Sequence, residues 1–151
     1  MGFIDKQARL AQAANITASA ATTDYYDCGT TRNIGDGEPM CMVFTMTADA
    51  DYTTTDEAYT FAIQCDDNTS FTTPNTLESR LYSLAANTPA GTFLKAGMQV
   101  VLPFPTGLTE QYVRGYLTLG GTTPICTYTC DIMPQAFVRK IKDYPSSFAV
   151  L

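Results

Sequence analysis

The sequence predicts an all-β domain, an antiparallel β-sandwich with a short N-terminal helix or arm. Three observations lead there. Thr, Tyr and Phe are plentiful, and these residues suit the half-buried surface of a sheet. Residues 59–65 alternate Tyr59, Phe61, Ile63 and Cys65 against Thr60, Ala62 and Gln64, the two-residue period of a strand with one face in the core. Clusters of Gly, Pro, Asn and Asp separate such runs, and the Leu/Glu/Lys periodicity of long helices is missing.

In chain order, residues 4–14 form the one predicted helix, with Asp5 in its first turn and Ile4, Ala8 and Ala11 on one face. Only Phe3, Ile4 and Leu10 are large there, so this helix is too short and too thinly apolar to stand alone in water. Phe3, Ile4 and Leu10 are therefore candidate contacts with a partner or a second copy. Residues 15–23 are small and polar, which suits an extended arm or an ordinary linker. Residues 1–23 thus read as helix and arm, 24–134 as the sandwich, and 135–151 as a tail packing on the domain or a partner.

The sandwich opens with a short strand at Tyr25, Tyr26, Asp27 and Cys28. A sharp turn comes next at Arg32, Asn33, Ile34, Gly35, Asp36, Gly37, Glu38 and Pro39, where two glycines and a proline interrupt regular structure. Arg32, Ile34, Gly35, Gly37, Glu38 and Pro39 are assigned to this structural turn. Behind it, residues 40–47 place Met42, Phe44 and Met46 on one face. Residues 49–57 and 66–75 are long polar loops. Residues 77–85 fit a strand or a short helix, and the neighbouring strands favour a strand. A weak strand is expected at 91–94. Residues 97–104 alternate Met98, Val100, Leu102 and Phe104. Residues 112–119 and 125–132 flank Gly120 to Pro124, read as a hairpin loop. Past Pro134 an extended tail is expected. About eight strands at this spacing close most naturally as two facing antiparallel sheets.

Residues Asn15 to Ala20, Asp24 to Gly29 and the Arg32–Pro39 turn resemble the N-terminal part of capsid cement proteins of short-tailed bacteriophages. Chain length and strand pattern fit that family over most of the chain. The resemblance implies a jelly roll. It also implies a decoration protein that binds, as a homodimer, the outer surface of an icosahedral phage head across neighbouring major capsid proteins. The expected location is the virion, after assembly in the host cytoplasm. The motif is a turn, and it carries no chemistry.

Composition narrows the alternatives. A chain of 151 residues most often folds as one domain that buries roughly 70% of its unfolded surface. Only 16% of residues are charged and 45% are hydrophobic, which speaks against disorder. A net charge of −6 argues against unspecific binding to nucleic acid or anionic membrane. Between Asp24 and Asp67 the only base is Arg32, whereas Arg139, Lys140 and Lys142 stand together near the C-terminus. That contrast fits solvated loops and a solvated tail, or acidic loops facing outward and a basic tail meeting an acidic partner. On the second reading Arg139, Lys140 and Lys142 are candidate capsid or dimer contacts. No apolar run approaches the ~18 residues of a membrane span. The first residues lack the basic start and apolar run of a secretory signal.

No enzymatic activity, cofactor or metal is expected. The chain has no histidine, which removes Ser-His-Asp and Cys-His nucleophiles and mixed-ligand zinc sites. No nucleophile-elbow, phosphate-loop or dinucleotide motif occurs. Asp49, Asp51, Asp56 and Glu57 come nearest to a calcium loop but lack its glycine. The five cysteines, an odd number without an export signal, are expected free and mostly buried. On a strand Cys126 and Cys130 would lie ~13 Å apart, beyond disulfide reach. The nine tyrosines fit half-buried strand positions and protein interfaces better than a sugar platform. A carbohydrate-binding sandwich module is the alternative function.

Overall fold

The computed structural model describes residues 8–29, 39–83, 94–105, 108 and 110–138. Nine strands are found among them: β1 (Arg9–Ile16), β2 (Ala20–Ala21), β3 (Tyr26–Asp27), β4 (Met40–Met46), β5 (Ala58–Asp66), β6 (Asn75–Ser83), β7 (Gln99–Pro103), β8 (Tyr112–Gly120) and β9 (Cys126–Pro134). They build two antiparallel sheets, one ordered β1-β9-β4-β7 and the other β2-β8-β5-β6, with β3 also on β8. Since β2 and β3 both pair with β8, they act as one interrupted strand. From β7 onward each strand lies in the sheet opposite its predecessor. Two four-stranded layers with this order form a jelly roll, in agreement with the predicted all-β sandwich.

Strand alternation fills the space between the layers. Met42, Phe44 and Met46 of β4 point inward, as predicted, and meet Tyr59, Phe61 and Ile63 of β5; all are essentially inaccessible to water. The intervening Cys41 and Val43 are also fully buried, on the outer side of the sheet, under Val138. This explains why residues 40–46 are apolar almost without a break. A strand covered on both faces has no need of alternation. Residues 135–138 form one helical turn where an extended tail was expected, and Gln135 N–H donates to Pro39 O at 2.8 Å.

Three expectations are corrected. Residues 9–14 of the predicted helix belong to β1, which pairs antiparallel with β9 from Arg9 opposite Asp131 to Ile16 opposite Cys126. The strand's fit to a helical period came from alanines, which satisfy either pattern. Pairing with β9 is worth more than a marginal helix. The sandwich therefore begins at Arg9 and not at Asp24, and residues 15–23 carry the end of β1 and all of β2. Leu10, expected to touch a partner, is fully enclosed in the protein's own core. Finally, β8 and β9 do not form a hairpin. They lie in different sheets, and residues 121–125 carry the chain across the end of the sandwich. Residues 1–7 with the start of the predicted helix, 84–93 with most of the weak strand, and 139–151 of the tail lie outside the described residues.

Leu10 gives the sharpest test of this boundary. Leu10→Ala should destabilise the domain by about 2–5 kcal/mol, the usual range for a buried leucine truncated to alanine. Urea denaturation followed by circular dichroism measures it. A change under about 0.5 kcal/mol, the scale of an ordinary surface substitution, would return β1 to the status of a peripheral arm.

Candidate interaction surfaces

The outer face of the β2-β8-β5-β6 sheet is built by the side chains that alternate with the core. On β8, Val113, Gly115 and Leu117 point inward, so Tyr112, Arg114, Tyr116 and Thr118 point outward. Register sets Arg114 opposite Gln64, Tyr116 opposite Ala62 and Thr118 opposite Thr60 of β5. Arg114 Nε and Nη2 both donate to Gln64 Oε1, at 3.0 and 2.9 Å. The guanidinium also lies over the Phe71 ring, 4.2 Å from its centroid, and 5.5 Å from that of Tyr116. Partial burial lowers the Arg114 pKa, and a guanidinium keeps its proton in proteins. Tyr25, 44% exposed, stands edge-on to Tyr112 at 5.4 Å and tilted on Phe71 at 6.2 Å. The result is an aromatic patch held by one fixed cation.

The opposite outer face is covered in part. Arg9 Nε donates to Asp131 Oδ1 at 2.8 Å and Nη2 to Oδ2 at 3.4 Å, across the β1–β9 pair. Asp131 is nearly inaccessible, and Val138 covers Cys41 and Val43 beside it.

The acids of the polar loops serve as acceptors for turns. At one end of the sandwich, Asp56 accepts from Thr122 N at 3.1 Å and from Thr122 Oγ1 and Thr54 Oγ1, both at 2.7 Å. Asp51 accepts from Thr53 N at 2.9 Å and from the Thr53 hydroxyl. Glu57 is buried; one carboxylate oxygen accepts from Thr54 N at 3.1 Å and shares the Thr54 hydroxyl with Asp56, while the other has no partner among the described residues. Asp49 turns instead to Lys95 Nζ at 3.2 Å and Ala96 N at 2.8 Å. At the other end, Asp66 accepts from Asn68 N and Thr73 N, Asp67 from Gln111 N, and Asp27 from Gly29 N and Gln111 Nε2. The calcium-like run is thereby divided between separate partners. Among the described residues no three metal-binding side chains converge.

The interior offers no reactive group among the described residues. All five cysteines are free and buried. Burial, with a lesser push from Asp27, raises Cys28 to about 11; burial raises Cys41 to about 11 and Cys126 to about 12. Burial first, then Glu110, raises Cys65 to about 12, and burial lifts Cys130 well above the ordinary thiol range. Of the described tyrosines, Tyr59 and Tyr128 are fully buried and Tyr26, Tyr52 and Tyr82 partly so, which leaves Tyr25, Tyr112 and Tyr116 for the surface.

Of the residues singled out in the sequence, Pro39 is exposed at the start of β4, and Leu10 is internal. Arg32, Ile34, Gly35, Gly37, Glu38, Phe3, Ile4, Arg139, Lys140 and Lys142 lie outside the described residues. The Tyr25–Phe71–Tyr112–Arg114–Tyr116 patch was not foreseen as a unit. The alternation of β8 pointed to its middle, but Phe71 sits in a polar loop at φ +47° and reaches the patch only through the tertiary fold.

A family model described as Bbp16 matches residues 10–131, from the start of β1 to the middle of β9. No curated protein matches the chain.

The buried thiols and the engaged acids each set a solution property. In the folded protein none of the five thiols should react with a disulfide reagent at about pH 8, and all five should react in denaturant; a rapidly labelled thiol would contradict the burial. Hydrogen bonds from Thr54 and Thr122 lower the pKa of Asp56, and those from Ala96 and Lys95 lower that of Asp49. A carboxylate depressed in the folded state adds stability that is present above its unfolded pKa and lost as pH falls through the folded one. The melting temperature should therefore fall as pH is lowered from about 5 towards 3. Asp56→Asn should melt lower at about pH 7 and show a shallower fall. Parallel curves for the two proteins would remove Asp56 from this account.

Proposed function

The chain belongs to the Bbp16 family, and we propose that it is a structural virion protein, a capsid cement that binds the outer surface of an icosahedral phage head. Its partner would be the major capsid protein, it would act as a homodimer, and it would perform no catalysis. The observation that carries this reading is the unequal pair of outer faces. One is partly covered by Val138 and carries the Arg9–Asp131 bridge, while the other presents Tyr25, Tyr112 and Tyr116 around a positioned Arg114. Surface tyrosines, here one exposed and two half-buried, and an arginine with fixed geometry are what tight protein interfaces use as anchors. The resemblance of the N-terminal stretches to phage cement proteins supplies the partner.

The mechanism is physical. A particle that binds only the expanded shell stabilises that state by its binding free energy. Many copies at symmetric positions convert modest energies into a large resistance to internal pressure. The same tyrosines give the carbohydrate reading less support. Tyr25 and Tyr112 meet at 85°, so they form no flat shared platform, and Arg114 occupies one face of Phe71.

Purified protein should co-sediment with expanded heads, bind unexpanded heads far more weakly, and raise the temperature at which heads release DNA. Tyr116→Ala should weaken head binding about tenfold while leaving the melting temperature within a few degrees. Binding to glycans and to no form of the head would replace this function with the alternative.

A further inference from the structure

We propose that two copies join through their β6 strands, antiparallel about a two-fold axis at Ser79, so that their β2-β8-β5-β6 sheets become one. This rests on the dimer of the reading above and specifies its interface.

The first observation is the state of the edges. Exposed edge strands invite pairing with another chain, and proteins blunt them with short strands, prolines, bulges or breaks. Three edges of this sandwich are blunted. β2 and β3 have two residues each, β7 has five and ends at Pro103, and β1 contains two register shifts with Ala13 at φ +47°. β6 is different. It is nine residues long, ends the order of its sheet, carries no proline and is mostly exposed. Its one irregularity is the bulge at Leu77, between Thr76 opposite Gln64 and Glu78 opposite Ile63, and the pairing is regular from Glu78 to Ser83. Leu81, in its regular part, is 45% exposed.

The second observation is the sequence of the regular part of that edge, Glu78-Ser79-Arg80, which is antisymmetric in charge about Ser79. Glu78 lies opposite Ile63 and Arg80 opposite Phe61 in the same sheet, so both side chains leave one face of β6. Neither forms an ion pair among the described residues. An antiparallel partner centred on Ser79 sets Glu78 of each copy against Arg80 of the other, twice. Opposite charges directly across a strand pair are favourable and like charges unfavourable. Moving the axis to Glu78 or to Arg80 would oppose two acids or two bases, so charge selects the register as well as the partner. The joined sheet would carry the two Tyr–Arg patches on one continuous outer face.

Cysteine cross-linking of the free protein, without heads, tests this. Residues facing each other across the axis have Cα atoms ~4.5–5.5 Å apart, within disulfide range. Ser79→Cys should form a covalent dimer under mild oxidation, because the native thiols are buried, whereas Thr118→Cys, exposed in the interior of the sheet, should not. Glu78→Arg should weaken self-association about tenfold in sedimentation, and adding Arg80→Glu should restore it. A Ser79→Cys protein that stays monomeric, or a Glu78→Arg protein that associates like the wild type, overturns the proposal. Either failure leaves the co-sedimentation with heads untouched, so interface and function are judged separately.

Discussion

Phe44 is the side chain on which the two layers register. It leaves the middle of β4, packs edge-on to Phe61 of the opposite sheet at 5.0 Å and lies tilted on Tyr128 of its own sheet at 5.8 Å. Its ring tip is received by Gly115 of β8, where an added Cβ would come within 2.9 Å of Phe44 Cζ and 2.8 Å of Thr22 Cγ2. Gly115 is therefore required by contact, since its backbone is ordinary strand. Thr22 completes the site: its hydroxyl accepts from Gly115 N at 3.1 Å and donates to Asp24 O at 2.8 Å. A segment that looks like linker thus fastens the edge of one sheet at the point where the other sheet's central ring arrives.

From that centre outward, the packing hands over to polar fasteners. Tyr59 and Tyr128 are core residues by burial, but the Tyr59 hydroxyl reaches the end of the sandwich, where it accepts from Ile125 N at 3.2 Å and donates to Asp51 O. Asp56 ties the same loop to Thr122. Gly121, at φ +98°, lets the crossing segment pass so near that a Cβ would sit 2.7 Å from Asp56 O. These contacts explain how long loops rich in acid remain ordered. Each carboxylate holds an N–H or hydroxyl that would otherwise be lost at a turn.

The two outer faces differ because of the segment that succeeds β9. The helical turn at 135–138 brings Val138 back onto β4, and this covers part of one sheet with the chain itself. On the other sheet the Phe71 loop packs beneath Arg114, and Tyr112, Arg114 and Tyr116 of β8 stay half-buried at the surface. The proposed binding role draws on that surface and on β6.

The fold class was legible in the sequence because a half-buried strand must alternate, and residues 59–65, 97–104 and 112–119 do so. The absence of histidine and of catalytic motifs likewise narrowed the chemistry from composition and spacing alone. The turn residues 32–38 and the basic tail lie outside the described residues, so those two expectations rest on the sequence. Three things were decided by the tertiary structure. β1 is a strand because β9 offers it a partner, and an alanine-rich segment with one leucine carries no period strong enough to announce this. The link from β8 to β9 crosses between sheets, since local turn residues are the same for a hairpin and for a crossing. The Tyr–Arg patch exists because Phe71, isolated in a polar loop, is brought beneath Arg114 by the pairing of β5 with β8. Local sequence carries the period of a strand, but which strands meet is set by contacts between residues far apart in the chain.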